Sequence, residues 1–413
     1  MKKLLFVESN TTGTGMLALQ QAKELGYEPV LLTNDPLRYT GLAKQGSTVI
    51  QCNTNKIQDV LQAIHTHMVK DQLAGITTTS EFYIEMVALL NEHFEFKGNP
   101  SEVVRKIRNK ASVRTVLNAS QTLYQPAYIT VRSAQDVMSL ERADIPFPCI
   151  VKPVDDSGSN FVKKCNTHSD VMEQVQRIAA ITHNVRGQET SPYILIEEYV
   201  EGQEYSVECF SYRSTHTVIG ITKKFVGEGP YFVETGHVFP APVDLHLAEL
   251  IEQGTCEILQ RMDWCSGPAH LEVKIKDGKV FLVEFNGRLA GGMIPELIRY
   301  ATGTDLLKEQ LKGAAGIKPT VSTEIRMVAG IRHLVPDRKG SISVASNGIG
   351  SQIPGIKSWK LFVHEGELVE KAVNAYGRIG YIIAVGQSQA EVEEILQEGE
   401  KELALKIQEE VLH

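Results

Sequence analysis

The chain has 413 residues, 42% hydrophobic and 22% charged, which is too long for one compact core and predicts two to four domains. A formal net charge of −8 argues against non-specific nucleic-acid binding, although a local basic pocket stays allowed. Six scattered cysteines (Cys52, Cys149, Cys165, Cys209, Cys256 and Cys265) without a CxxC pair fit a reduced, cytoplasmic compartment, and no stretch approaches the length of a membrane span.

In chain order, residues 4–7 read as a buried strand rather than a signal segment, because polar Glu8-Ser9-Asn10 follows at once. A turn at 11–15, a helix at 16–25 ended by Gly26, a strand at 29–33, a strand end at 75–78 and a helix at 81–93 continue the pattern. This alternation predicts a parallel, doubly wound α/β domain over residues 1–95. Gly13-Thr14-Gly15 stands where a dinucleotide loop would, but it lacks the GxGxxG spacing and a phosphate-loop lysine. A tight turn or a wall of a substrate site are the other readings.

Residues 101–118 predict one amphipathic helix with Ser101 as N-cap. Strands at 145–154 and 161–165 flank a polar loop at 155–160. A helix at 168–182, a buried strand at 193–196, an acidic bend at 197–204 and a strand at 205–212 follow. Short strands around one or two helices predict a small α+β lid at about 120–200, inside a larger α+β unit over 96–320. From about 325 the chain is rich in strands and glycine, and 390–412 reads as a charged amphipathic helix. Residues 321–413 are therefore expected to form a β-rich C-terminal domain. No repeat or low-complexity linker separates these units.

The most informative stretch runs from His270 to Gly292. Leu271, Val273 and Ile275 alternate with Glu272 and Lys274, and Phe281, Val283 and Phe285 alternate with Leu282, Glu284 and Asn286. Period two predicts a hairpin with one apolar face. Odd apolar positions on both strands require a connecting loop of odd length. A two-residue Asp-Gly turn would separate Glu272 from Glu284, whereas a three-residue loop, Lys276-Asp277-Gly278, with Gly278 at positive φ, unites them. Glu272, Glu284 and Asn286 on one face are hard ligands suited to Mg²⁺ held against phosphate. Arg288 can stabilise charge on a transferring phosphoryl group, and Ala290-Gly291-Gly292 offers backbone N–H groups to an anion. The plainer alternative is a polar face turned to water.

Other pieces fit one nucleotide site. Lys152, ending a strand before Pro153, can meet a phosphate as a point charge, or it can snorkel at the surface. Ser157-Gly158-Ser159 can close over phosphates with amides and hydroxyls, or be a plain turn. Lys110 is a second phosphate lysine or one of several basic residues on a solvated helix. Glu197-Glu198-Tyr199-Val200 ends a buried strand where backbone groups can meet an adenine rim, and Glu204 can take ribose hydroxyls. An acidic surface turn is the alternative.

Together these motifs resemble the ATP-grasp superfamily over about residues 100–315. They comprise a lysine before the lid, Ile150-Val151-Lys152-Pro153, the Ser-Gly-Ser loop, the Glu197-to-Val207 hinge, and the Glu272…Glu284-Phe285-Asn286-Gly287-Arg288 hairpin. The run from Gly377 to Gly386 is similar to the carboxylase-like branch. The resemblance implies an ATP-grasp fold with the N-terminal doubly wound domain before it and the β-rich domain after it. It implies carboxylate–amine ligation, in which ATP phosphorylates a carboxylate and an amine attacks the acyl phosphate. Two Mg²⁺ ions, or Mn²⁺, on Glu272, Glu284 and Asn286 would align the phosphates. Lys110 and Lys152 would hold the α- and β-phosphates, and Leu282 would join the hinge residues around the nucleotide. A closing lid would exclude water.

Within the superfamily the chain is most similar to the L-amino acid ligases, which make dipeptides. Val233-Glu234-Thr235-Gly236-His237-Val238-Phe239-Pro240 looks like their substrate strand. By that likeness Glu234 and His237 contact amino-acid groups, while Arg288, Gly291 and Gly292 receive the substrate carboxylate or its phosphate. Glu81, in Thr78-Thr79-Ser80-Glu81, takes an α-amino group. An ammonium needs a carboxylate, and a histidine near neutral pKa can relay its proton. A structural His237, and a Glu81 that serves a helix N-terminus, are the plainer readings. Met293, Leu289, Tyr231 and Trp264 are candidate pocket walls. Competing functions are a carboxylase or a purine-pathway ligase of the same branch, although no Met-Lys-Met biotin site occurs, and a non-catalytic ATP sensor. The expected partners are amino acids and ATP, with no nucleic acid or membrane, and a homodimer by analogy with carboxylase-like relatives.

Overall fold

The structure, a computed structural model, describes residues 1–11, 14–141, 144–227, 231–344 and 353–408, so Gly13 of the Gly-Thr-Gly turn lies outside the described residues. Strands β1 (Lys3–Val7), β2 (Glu28–Thr33), β3 (Thr48–Gln51) and β4 (Leu73–Thr77) form a parallel sheet in the order β3-β2-β1-β4. Leu4, Leu5, Phe6 and Val7 are all fully buried, as a parallel strand covered on both faces requires. Helices Thr14–Glu24 and Ile57–His67 lie between these strands in the chain, and helix Ile84–Phe94 follows β4. The edge strand β3 was not visible in the sequence because Ile50 is its single buried residue.

The helix expected over 101–118 is two helices, Ser101–Arg108 and Lys110–Leu117. Pro100, not Ser101, is the first cap. Asn109 leaves the helical conformation at φ −99°, ψ 105°, and its side chain accepts the Ser112 amide at 3.1 Å. An asparagine cap ends one helix and starts the next. The break turns Lys110 toward the lid, where its amide donates to the Val154 carbonyl at 2.9 Å.

The lid is an antiparallel sheet of β5 (Tyr128–Val131), β6 (Cys149–Pro153), β7 (Lys163–Cys165) and β8 (Ile194–Glu198), in the order β5-β8-β6-β7. Val171, Val175 and Ile178 of helix His168–Ala179 join a core with Val151, Ile194 and Ile196.

Strands β9 (Gln203–Tyr212), β10 (Thr215–Val226), β11 (Glu234–Phe239), β12 (Ser266–Lys276) and β13 (Lys279–Asn286) follow. The chain then adds β14 (Val328–Leu334), β15 (Gly340–Val344), β16 (Ile356–Leu361), β17 (Leu368–Val369), β18 (Gly380–Gly386) and β19 (Leu405–Gln408). Among the described residues one antiparallel sheet runs β13-β12-β9-β10-β11-β14-β18-β16, and a smaller one runs β17-β15-β19. Strands of the C-terminal region thus extend the sheet that carries the hairpin. The helix expected at 390–412 spans Gln389–Leu403. Ala404 turns left-handed at φ 46°, β19 pairs with β15, and residues 409–413 lie outside the described residues. All six cysteines are free, and no described helix is long and apolar enough to cross a membrane.

Candidate active site

Strands β12 and β13 meet in a two-residue Asp277-Gly278 turn, with Lys276 opposite Lys279 and φ values of 52° and 70°. Positive φ at both positions is what a tight hairpin turn of this hand needs. The expected three-residue loop is therefore absent. Near the turn odd residues pair with even, so Val280 and Leu282, not Phe281 and Val283, enter the core beside Val273. The register then shifts between Val273 and Glu272. Val273 faces Leu282 and Glu272 faces Glu284, which leaves Val283 as an extra residue. This bulge restores what the odd loop was expected to supply, because Glu272 and Glu284 become cross-strand partners with Asn286 two residues on.

A cleft lies between the lid and this hairpin. Every residue expected around the nucleotide lines it: Lys110, Lys152, Ser157, Gly158, Ser159, Glu197, Glu198, Tyr199, Val200, Glu204 and Leu282. Leu282 does so with its side chain fully buried. The Ser-Gly-Ser loop is bent by left-handed residues, Gly158 at φ 75° and Ser159 at φ 57°. Asp156 braces it, accepting the Ser157 amide at 2.8 Å and the Asn160 side chain at 2.9 Å. Lys110 joins lid to hairpin, 2.7 Å from the Asp156 carbonyl and 3.1 Å from Glu284.

Lys152 and Arg114 share the buried carboxylate of Glu197. Arg114 is 2.9 Å away, and Lys152 forms a short ion pair. Burial pushes the Glu197 pKa up, but the two cations outweigh it and hold the carboxyl ionised below its ordinary range. Arg114 also donates at 2.8 Å to the carbonyls of Leu282 and Val283, the residues at the bulge. Arg114 was not legible as a site residue; its signal was a charge on the buried Val113 and Leu117 side of its helix. Tyr199 stacks on Phe232 at 5.9 Å and carries the Lys164 and Lys274 ammonium groups over its ring.

Beyond Glu272 the cleft changes character. Lys224, 2% exposed, lies 2.7 Å from Glu204, 2.8 Å from Glu234 and 2.9 Å from Glu272. Burial opposes its charge, but the three carboxylates raise its pKa well above the usual lysine value. Lys224 was also missed. Strand alternation carries its signal, since Thr222 and Lys224 are buried while Lys223 and Phe225 are not. His270 bridges Glu208 at 3.1 Å and Glu272 at 3.3 Å. Burial lowers its pKa, yet these carboxylates lift it to about 9.

Two carboxylates and an amide oxygen fit Mg²⁺ held against phosphate oxygens. Lys224 and His270 match the charge of Glu272, and Lys110 matches that of Glu284. Among the described residues no three His, Cys, Asp or Glu side chains form a cage for a metal.

Glu234 is bound by Lys224, by Arg378 at 2.7 Å and by His237 at 3.4 Å. His237 is 1% exposed, and its pKa falls to about 3, first through burial and then through Arg378 and Lys224. Burial and the two cations outweigh the Glu234 carboxylate and favour the uncharged imidazole, below the near-neutral value expected from sequence. His333 of β14, not found from sequence, meets it edge-on at 5.5 Å. Gly292 has φ 57°, and a Cβ there would lie 2.6 Å from His237, so only glycine fits without displacing the ring. Gly291 faces open space. Glu81 is buried between Arg288 at 2.5 Å and Arg108 at 3.3 Å, and these cations hold it ionised against the effect of burial.

A family model described as an ATP-grasp domain matches residues 145–296, and one for L-amino acid ligase C-terminal domain 2 matches residues 332–408. The uncharacterized protein y4rH of Sinorhizobium fredii is 29% identical over 400 residues, covering 96% of this chain and 81% of that one. A D-alanine–D-alanine ligase of Phocaeicola vulgatus is 29% identical over 173 residues, 39% of this chain and 50% of that protein. The crystal structure of an L-amino acid ligase from Bacillus licheniformis superposes with a TM-score of 0.80 at 20% identity, covering 99% of both chains. The chain therefore carries an ATP-grasp domain over residues 145–296 and a C-terminal domain of the L-amino acid ligase type over residues 332–408.

Proposed function

We propose that the protein joins two L-amino acids, or an amino acid and a related amine, through an acyl phosphate, with release of ADP and phosphate. The observation that carries this reading is the composition of one cleft, with cations for a triphosphate at one end. Glu234 lines its other end with His237 3.4 Å away, and the Arg288–Glu81 pair lies outside its lining. Lys110 and Lys152 hold phosphate oxygens, and the Ser157-Gly158-Ser159 loop closes over them. Mg²⁺ held by Glu272, Glu284 and Asn286 would neutralise the triphosphate and polarise the bond to be broken.

Arg288 orients the substrate carboxylate for attack on the γ-phosphoryl group and steadies the oxyanion that forms when the amine adds. Glu81 aligns that guanidinium. Glu234 draws the ammonium substrate in, and uncharged His237 has a ring nitrogen free to accept a hydrogen bond from the attacking amine. The lid keeps water from the acyl phosphate.

The test is phosphate release from ATP and Mg²⁺ across pairs of the common amino acids, with mass spectrometry of the products. Dipeptide mass appearing with ADP is the expected result. Phosphate release without a new amide points to another amine or to carboxylation, and tight ATP binding without turnover overturns the assignment.

A further inference from the structure

One short segment of the C-terminal region touches both ends of the cleft. Residues 374–378 form a tight turn around the 3₁₀ segment Ala375–Gly377, in which the Asn374 side chain accepts the Tyr376 amide at 3.0 Å. A Cβ on Gly377 would lie 2.8 Å from Ala372, so the turn has no room to relax there. On one side the Tyr376 ring packs against the lid, 3.3 to 3.5 Å from where a Gly158 side chain would begin. Two residues later Arg378 binds Glu234 on the acceptor side, through its carboxylate at 2.7 Å and its carbonyl at 3.3 Å.

Tyr376 is also 62% exposed, so the rest of its side chain faces solvent. Burial on the lid side and the Asp156 charge raise its hydroxyl pKa, while Arg186 and Arg288 oppose. The ring thus stands beside Gly158 of the Ser157-Gly158-Ser159 loop, which lines the cleft.

We propose that this turn is a clasp, in which Tyr376 holds the Ser157-Gly158-Ser159 loop closed while Arg378 holds Glu234, so that the acyl phosphate is shielded from water when both ends engage. This rests on the ligase reading. In the productive route the amine nitrogen bonds to the acyl carbon, the carbon–oxygen bond to phosphate breaks, phosphate leaves and the amine loses a proton. In the leak, water attacks the same carbon, phosphate leaves and the original carboxylate is regenerated. Both consume one ATP, so the ratio of amide to phosphate measures shielding. The ring does the packing against Gly158. Tyr376 is accordingly a positioning residue.

The experiment compares amide formed per phosphate released in the wild type, Tyr376→Ala and Tyr376→Phe at saturating substrates. Tyr376→Ala should lower the ratio by about fivefold or more while phosphate release continues, and Tyr376→Phe should restore most of it. A wild-type ratio in Tyr376→Ala overturns the clasp. Hydrogen exchange on the wild-type protein gives an independent reading. Mg-ADP should protect residues 157–160 and 374–378 together, and protection of the lid loop alone overturns the proposal. If the wild type makes no amide with any pair, the ligase reading fails, and the exchange result still decides whether the clasp exists.

Discussion

The two ends of the cleft hold charge in opposite ways. At the nucleotide end Lys110, Lys152 and Arg114 share two carboxylates, Glu284 and Glu197. At the acceptor end Lys224 and Arg378 serve three, Glu204, Glu234 and Glu272, and the imidazole beside them is neutral. One end carries a positive surplus for phosphate, whereas at the other His270, its pKa lifted to about 9, and Lys274 join Lys224 and Arg378 in offsetting the carboxylates. A chain of net charge −8 can therefore bind a polyanion, because local arrangement and not the total decides the sign of the field.

The largest effect should come from removing the cation at the centre of the acceptor end. Lys224→Met leaves three half-buried carboxylates, with side chains 13%, 21% and 17% exposed, facing one another. Stranding buried charges typically costs about 3–5 kcal/mol, so the variant should lose that much stability in urea unfolding and retain little turnover. A variant as stable as the wild type would mean that the carboxylates take up protons or water at little cost, and the contrast between the two ends would not hold.

Glu284→Gln acts on the border. It removes one charge from the metal face and releases Lys110, so Mg²⁺-dependent ATP turnover should fall at least about tenfold. ADP affinity measured with chelator should hold or rise, because the nucleotide end becomes more positive. Wild-type turnover would sink the metal assignment. A smaller change belongs to His237→Ala, which should cut amide formation by about fivefold while ATP affinity stays within about twofold. Equal loss of nucleotide affinity would place His237 at the other end.

The groups at this border differ in how visible they were from sequence. Glu272, Glu284 and Asn286 were legible because strand periodicity is local and their spacing is short. Even there the mechanism differed, since a one-residue bulge at Val283 leaves no mark in composition yet inverts which side chains face the core. Lys224, Arg114 and Arg378 were not legible as site residues. Arg114 meets Glu197 across 83 positions and Arg378 meets Glu234 across 144, and no local pattern encodes such a partner. The parallel sheet was readable from its apolar runs, whereas the break at Asn109 was hidden because helical periodicity continues across it. The neutral state of His237 depends on burial by β14 and Gly292, which only the folded chain brings together.

A carboxylate outside the cleft sets the scale for these effects. Glu257, on helix Leu245–Arg261, holds the segment that leads into the lid. It accepts from the Ser120 hydroxyl at 3.0 Å, the Thr122 hydroxyl and the Gln121 amide at 3.1 Å, and pairs with Arg261 at 2.7 Å. Burial raises its pKa, but the Thr122 hydroxyl, Arg261 and the other donors outweigh it and bring the value down to about 2. A folded pKa below the unfolded value gives stability that is present above about pH 4 and is lost as pH falls toward 2. Solvent screens much of it, so Glu257→Gln should cost about 1 kcal/mol or less at pH 7. Urea unfolding at pH 7 and pH 3 should show the gap to wild type narrowing at the lower pH. A gap that stays constant would mean the carboxyl is not held ionised by these donors. The Lys224 variant would then be the better gauge of what a paired carboxylate contributes to this fold.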